Sequence, residues 1–560
     1  MPASLPTNIA AGKSFTIATL GCRANQEEEE AIRSHLCSLG YEEVLFPGPA
    51  SIALVHTCAV TSTALAQSRQ AIRRCARRGG EQAWVVALGC GAQFDAQALA
   101  AIPGVALVVG NRFKARLPAF FAALGKGRFP PDAVRLRNAA MEAGLPVRSV
   151  RESASSAGTP EDRTPRGVEG GIACAARSAR REDIGKEKAG GREQTGGLIA
   201  WDADATAERF LERAPCVPPA RTRGLVKIQD GCDRACAYCI VPALRGRPRS
   251  RDAREALRAV ERLCDAGCKE IVVTGVHLGL YACDLGNDGP DPAFARPIER
   301  RGARGDDGEG LAELLEAMGK VRGLGRVRLS SIEPDALGPR LLDLIADAPW
   351  ICPHLHLPLQ SGDDRILARM GRRYGAADIR AIGARLARAS RPVAIGLDIL
   401  AGFPGEDGQA FDATLSLIDA LPGAYLHAFP YSERPGTAAA SFPERVVHPL
   451  RAERVRRLRE IDRRLRLAFQ ERLRGRTVRV LVEKRAAGAF EGLAGEYVRM
   501  RGEARACDGP RAECPRAEGD PQPTRTGSRD FARVGELVEV TAGESIDAHV
   551  QACKWEPRTR

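Results

Sequence analysis

Gly231-Cys232-Asp233-Arg234-Ala235-Cys236-Ala237-Tyr238-Cys239 sets three cysteines at spacings of four and three behind a glycine. A 4Fe–4S cluster normally takes four thiolates, but the next cysteine, Cys264, falls inside a helical pattern. Three thiolates leave one iron open to another ligand. An open iron is what a cluster needs to chelate S-adenosylmethionine and cleave it to a carbon radical. Two other readings compete: a zinc site, or an incidental Cys-x-x-Cys. Zinc sites more often pair two such units to give four ligands.

A second trio is less obvious because it is scattered. Cys22, Cys58 and Cys90 each follow a short apolar run (15–20, 51–57 and 84–88), and a glycine precedes two of them. If the runs are strands of one parallel sheet, the cysteines converge on the carboxyl edge, where ligands gather in such sheets. Another three-thiolate cluster is one reading. Three buried cysteines acting as small hydrophobes is the other. Cys37 and Cys75 fall mid-helix and read as core.

The elements that must position these groups follow from the pattern. Residues 13–125 alternate strands (a fourth at 105–109) with helices, which predicts a doubly wound parallel sheet. Glu27–Glu30 suits a helix start. Residues 126–217 lose periodicity and become rich in Ser, Gly, Arg and Glu, an insertion expected to be disordered. Residues 218–450 resume the alternation, with strands near 225–229, 270–274, 327–331, 354–359, 393–400 and 425–429. Six such units predict a partial (β/α)6 barrel, whose chemistry belongs at the strands' carboxyl ends. The Cys232 loop follows the first of them. Glu333, Gln360 and Ser361 stand at other strand ends and are candidates for contacting the cofactor's carboxylate, ribose or adenine. A surface loop is expected over 284–310.

Residues 451–475 form a basic helix. Eleven arginines lie between Arg451 and Arg476 against four acidic residues. That pattern fits a phosphate track or a solvated face of a docking helix. Residues 476–543 switch to strand periods, 478–482, 490–500 and 537–540, expected to form a small antiparallel β-barrel. A polar insertion interrupts them at 502–529. The net charge of +13 suits a polyanionic partner. No leader-like segment or membrane-length apolar run stands out, which points to the cytoplasm and to no membrane partner. Seventeen cysteines there suggest metal or redox work rather than disulfides.

Taken together, the motifs resemble a family. Thr19-Leu20-Gly21-Cys22-Arg23-Ala24-Asn25-Gln26, Thr57-Cys58-Ala59-Val60-Thr61 and Gly89-Cys90-Gly91-Ala92-Gln93 are similar to the three signatures of the methylthiotransferase N-terminal domain. The stretch from Lys227 to Arg247, Ser331-Ile332-Glu333-Pro334, His354 to Gly362, Met370 to Tyr374 and Phe429-Pro430-Tyr431-Ser432 resemble the radical S-adenosylmethionine (radical SAM) segment of the same enzymes. The closing barrel resembles the RNA-binding TRAM module. The wording is closest to the MtaB branch. The resemblance implies two 4Fe–4S clusters, on Cys232/Cys236/Cys239 and on Cys22/Cys58/Cys90, with S-adenosylmethionine on the first. It also implies a 2-methylthio transfer to N6-threonylcarbamoyladenosine beside the tRNA anticodon. An electron donor such as a flavodoxin or ferredoxin, and a sulfur source, would be needed. Alternatives are the same chemistry on isopentenyl-adenosine or a ribosomal-protein aspartate, or a non-catalytic zinc-containing RNA-binding protein.

Overall fold

The computed structural model describes residues 13–78, 84–126, 133–149, 197–214, 219–284, 308–486, 489–503, 533–547 and 550–554. The class is mixed α/β with parallel sheets. The first sheet orders its strands β2-β1-β3-β4-β5-β7-β6. Here β1 is Ser14–Thr19, β2 Glu42–Glu43, β3 Ile52–Thr57, β4 Trp84–Gly89, β5 Val105–Val109, β6 Val147–Ser149 and β7 Leu198–Ala200. Every pair is parallel except β6 with β7. The central strands are almost wholly apolar because helices cover both faces. Ile52 and Leu54 of β3 pack into one core with Phe15, Leu36 and Phe120. Their alternates Ala53 and Val55 pack into the other with Ile72, Val85 and Cys75, as a two-residue period requires. Cys75 is therefore core, as its mid-helix position suggested.

The expected structureless stretch 126–217 needs correction. Its described parts carry a helix, Ala133–Glu142, and the strands β6 and β7 at one side of the sheet. Both strands are three residues long, too short to show a period in sequence. Residues 150–196 lie outside the described residues.

In the centre, β8 (Arg223–Lys227) leads into the short β9 (Gln229–Asp230), which pairs with β10 (Arg249–Ser250). Then follow β11 (Glu270–Thr274), β12 (Arg326–Leu329), β13 (His354–Gln360), β14 (Ala394–Ala401) and β15 (Gly423–Pro430). The six main strands form two three-stranded parallel sheets, β12-β11-β8 and β13-β14-β15, rather than one continuous curve. The gap is spanned by a hydrogen bond from Ile332 N to His356 O (3.1 Å) and by the bridge Val327–Ile351. There Cys352 N donates to Val327 O (2.8 Å), and Pro353 has no N–H with which to continue the pairing. One core runs under both halves, from Val226 and Ile271 through Leu355 to Leu397 and Leu426. Residues 285–307, most of the expected surface loop, lie outside the described residues.

The helix His448–Leu473 follows. Arg454 within it is buried against Glu406 (2.6 Å). Arg456, Arg457, Arg464, Arg466 and Arg474 also face carboxylates. Much of the basic face is thus neutralised within the chain. Exposed Arg459 and Arg463 have no carboxylate among the described residues.

Last come β16 (Thr477–Ala486), β17 (Ala489–Ala494), β18 (Arg499–Glu503), β19 (Leu537–Asp547) and β20 (Val550–Lys554), closing in the order β16-β17-β18-β20-β19. The pair β18–β20 is parallel. Two corrections apply. The stretch 490–500 is not one strand but a hairpin, turned at Gly495-Glu496-Tyr497-Val498, with Tyr497 N donating to Ala494 O (3.1 Å). The barrel also continues past residue 543. The segment 504–532, most of the second insertion, lies outside the described residues. Arg326 and Arg328 of β12 fix the barrel to the centre. Arg328 donates to the Ala494 and Gly495 carbonyls (both 2.9 Å) and to Glu270 (2.7 Å). Arg326 donates to Leu493 O (2.8 Å) and to the same carboxylate.

Candidate active site

Cys22, Cys58 and Cys90 stand at the carboxyl ends of β1, β3 and β4, which are neighbours in the sheet. Cys22 caps the helix Arg23–Ser38, and Cys90 opens the helix Cys90–Phe94. Side chains tie the three turns together. Asn25 Nδ2 donates to Leu20 O (2.7 Å) and Thr57 O (3.3 Å). Thr57 Oγ1 donates to Leu88 O (2.6 Å) and accepts from Ala92 N (3.0 Å). Gly21 has φ +98°, and a Cβ there would lie 2.9 Å from Cys58 Sγ. Only glycine lets the Cys22 turn come this close. Cys58 and Cys90 are buried while Cys22 is exposed, so the trio opens on the Cys22 side.

The Cys232 loop lies beyond β8 and β9. Gly231 has φ +76°, and a Cβ would sit 1.9 Å from Arg247 O. Cys232 N donates to Gly246 O (3.0 Å), Cys239 N to Cys236 O (3.0 Å) and Ala237 N to Met370 O (2.9 Å). The Arg234 guanidinium pairs with Asp335 (3.3 Å). Arg372 donates to Glu333 (2.9 Å) and to the Tyr238 hydroxyl.

Both trios flank one interface. Ile240 and Leu244, just after Cys239, pack with Cys90, Ala59 and Leu65. Asn111 Nδ2 reaches Leu244 O (2.5 Å) and Cys90 Sγ (3.8 Å). Arg434 donates to Ala59 O (2.5 Å).

Beneath this interface lies a buried ionic hub. Glu28 is fully enclosed and accepts from Lys114 (2.6 Å), Lys227, Arg245 (3.1 Å) and His56 (2.8 Å). Arg245 also donates to Asp230 (2.7 Å) and Asn25 (2.6 Å). Burial pushes the Glu28 carboxyl up, but the three cations outweigh it and hold it well below the carboxylate range. Burial pushes His56 down to about 4 against the pull of Glu28, so it donates as a neutral ring. The acidic run expected to serve a helix start is thus largely interior: the helix begins at Arg23, and Glu27, Glu28 and Glu30 are buried.

Burial pushes Cys58 up to about 11, with Cys90 and Cys22 adding to it, and Cys232 up to about 12, with Cys239 and Cys236 adding. Such thiols become thiolates when a metal supplies the positive charge. A single zinc ion holds sulfurs at about 2.3 Å, which places them roughly 4 Å apart. Among the described residues only His356, Asp398 and His427 bring three ligand atoms within 4.8 Å of one another. Both thiol trios are more open than one ion requires and suit a larger cluster.

The other predicted residues are less uniform. Glu333 is already paired with Arg372. Gln360 ends β13 with φ +67°, half-buried. Ser361 is fully buried against Thr414 (3.4 Å), and its Oγ accepts from Asp363 N (3.2 Å), which braces the turn. Sequence reasoning missed the wall of β13–β15. Asp398 accepts from His356 (2.9 Å) and His427 (3.3 Å), and exposed Phe429 lies edge-on to His427. The alternation of His354 and His356 on one strand, a same-face signature, could have found part of it. It also missed Arg23, which reaches Ser330 and Tyr497.

Residues 226–418 match the model of the radical SAM superfamily, and residues 14–110 that of uncharacterized protein family UPF0004. The threonylcarbamoyladenosine tRNA methylthiotransferase MtaB of Aquifex aeolicus is 30% identical over 465 residues, covering 83% of this chain and 91% of the relative. Its Rickettsia prowazekii counterpart is 31% identical over 468 residues, covering 83% and 87%. A tRNA-2-methylthio-N(6)-dimethylallyladenosine synthase from Mycobacterium sp. is 35% identical over 357 residues, covering 62% and 65%.

Proposed function

The chain belongs to the radical SAM methylthiotransferase family, and from that premise we propose that it adds a 2-methylthio group to N6-threonylcarbamoyladenosine next to the tRNA anticodon. Enzymes of this family use S-adenosylmethionine and 4Fe–4S clusters. Cys232, Cys236 and Cys239 would hold one cluster, and Cys22, Cys58 and Cys90 the other. When bound, these groups supply the reducing electron, the radical that takes the unactivated C2 hydrogen, and the sulfur. The observation that carries the reading is that both trios border one interface, joined through Ile240, Leu244 and Cys90.

The chain's own residues do the rest. The Glu28 hub clamps the helix behind Cys22 to β8 and to the turn after Cys239. Gln229 Oε1 accepts from Val276 N (3.1 Å) and His277 N (2.8 Å), while its Nε2 donates to Gly231 O (2.8 Å), fixing the loop at the mouth. Phe429 offers an aromatic face on which a splayed base can stack. The C-terminal barrel and the exposed arginines Arg459 and Arg463 would take the tRNA backbone. An electron donor of the flavodoxin or ferredoxin kind and a sulfur source complete the reaction. A tRNA substrate supports a cytoplasmic location.

Iron analysis after anaerobic reconstitution tests the assignment. Cys232→Ala and Cys58→Ala should each lose roughly half of the wild-type iron, by cluster stoichiometry. Unchanged iron in Cys58→Ala would remove the second cluster. Zinc in place of iron would restore the non-catalytic reading.

A further inference from the structure

We infer that Arg23 is the residue that recognises the carboxylate on the substrate base's N6 arm, and so makes that arm a requirement for reaction. The inference rests on the substrate proposed above.

The guanidinium of Arg23 lies where three parts of the chain meet. It belongs to the first sheet's Cys22 turn. Its Nη1 donates to Ser330 Oγ, at the carboxyl end of β12, over 3.3 Å. Its Nη2 donates to the Tyr497 hydroxyl, in the C-terminal hairpin, over 3.5 Å. Both contacts are long for hydrogen bonds to nitrogen, and both partners are neutral. Arginine has five donors and no way to shed its charge.

Three other arginines around the thiol trios meet carboxylates. Arg245 meets Asp230 and Glu28, Arg234 meets Asp335, and Arg372 meets Glu333. Arg23 has no carboxylate among the described residues, although it is half-buried. A half-buried guanidinium with only weak, neutral partners is short of an anion. Two hydroxyls beside it could serve the same ligand.

Chemistry narrows the anion. The reacting atom is C2 of adenine, which must approach the trio that includes Cys22, one residue before Arg23. On a threonylcarbamoyl arm, the ureido N–H bonds to ring N1 in a six-membered ring. That folds the amino acid along the N1–C2 edge and carries its carboxylate toward the same side as C2. An isopentenyl arm offers nothing to a guanidinium. A backbone phosphate could also bind Arg23, but it would not depend on what N6 carries.

The test uses reconstituted full-length protein and two anticodon stem-loop RNAs, one with the free threonylcarbamoyl acid and one with its methyl ester. Anaerobic fluorescence anisotropy gives Kd, and single-turnover product formation gives the rate. Wild type should bind the acid about 10- to 100-fold more tightly than the ester, the span of a charge-assisted hydrogen bond. Arg23→Gln should lose that preference, and Arg23→Lys should keep part of it, because the charge survives without the fork. Equal wild-type affinity for acid and ester overturns the inference without any variant. So does an Arg23→Gln loss of the same size on both RNAs, which would assign Arg23 to a phosphate. Reaction of the wild type on isopentenyl-adenosine but not on either threonylcarbamoyl RNA sinks the substrate reading as well.

Discussion

Replacing Glu28 by Gln should destabilise the protein far more than a single uncharged swap normally does. The side chain keeps its size, so packing is preserved and only charge is removed. In the intact hub, Lys114, Lys227 and Arg245 face Glu28 and Asp230. Without Glu28, three cations share one carboxylate. Their side chains are 4%, 3% and 3% exposed, so water and salt do little to screen them. Stranding a buried charge by removing its partner costs about 3–5 kcal/mol, roughly a thousandfold in the folded-to-unfolded ratio. Urea unfolding followed by tryptophan fluorescence measures it. Trp84 reports on the first sheet and Trp350 on the central unit. Lys114→Met in the same background removes one stranded cation and should recover much of the loss. Glu29→Gln, whose partner Arg221 is 43% exposed, should cost under about 1 kcal/mol. A Glu28→Gln protein within about 0.5 kcal/mol of wild type, or a double variant weaker than the single, would refute the hub.

Gly21→Ala should selectively remove the iron held near Cys22, leaving about half by cluster stoichiometry, because its Cβ would stand 2.9 Å from Cys58 Sγ at φ +98°; full iron retention counts against the turn. His56 is held down to about 4 when folded but titrates near 6.5 when unfolded. The unfolded chain therefore binds the extra proton between these values, and His56 lowers stability as pH falls through that window, by up to about 1.4 kcal/mol per unit. Comparing wild type with His56→Gln from pH 7 to 4 isolates this slope, and parallel curves would dismiss it. Arg459→Gln and Arg463→Gln should each weaken tRNA binding and reduce the salt slope by about one. Unchanged filter-binding curves would make that helix face merely solvated.

Much of the site could be read from residue spacing. The Cys232 loop is local, so its three cysteines identify themselves. Cys22, Cys58 and Cys90 became a trio only through the rule that strand ends gather in a parallel sheet, and β1, β3 and β4 are indeed neighbours. The hub was illegible. Glu28 looked like one of four acids serving a helix start because its partners come from residues 56, 114, 227 and 245, and no local period links them. Arg23 was part of a motif, but its side chain meets Ser330 and Tyr497 only through tertiary docking. Strands β6 and β7 were missed because three residues cannot display alternation, and the turn at Gly495 was missed because apolar residues flank it on both sides. Ser361 was marked out by its place at a strand end, but its contact with Thr414 on a later helix is tertiary and left no trace in the local pattern.

The most direct measurement is nucleoside mass spectrometry after anaerobic reaction of the reconstituted protein with S-adenosylmethionine, a reductant and tRNA bearing N6-threonylcarbamoyladenosine. The account predicts that this nucleoside exchanges its C2 hydrogen for a methylthio group, and that neither Cys58→Ala nor Cys232→Ala yields the product. A protein with both clusters filled that leaves this nucleoside untouched while modifying isopentenyl-adenosine, or no nucleoside at all, would contradict it.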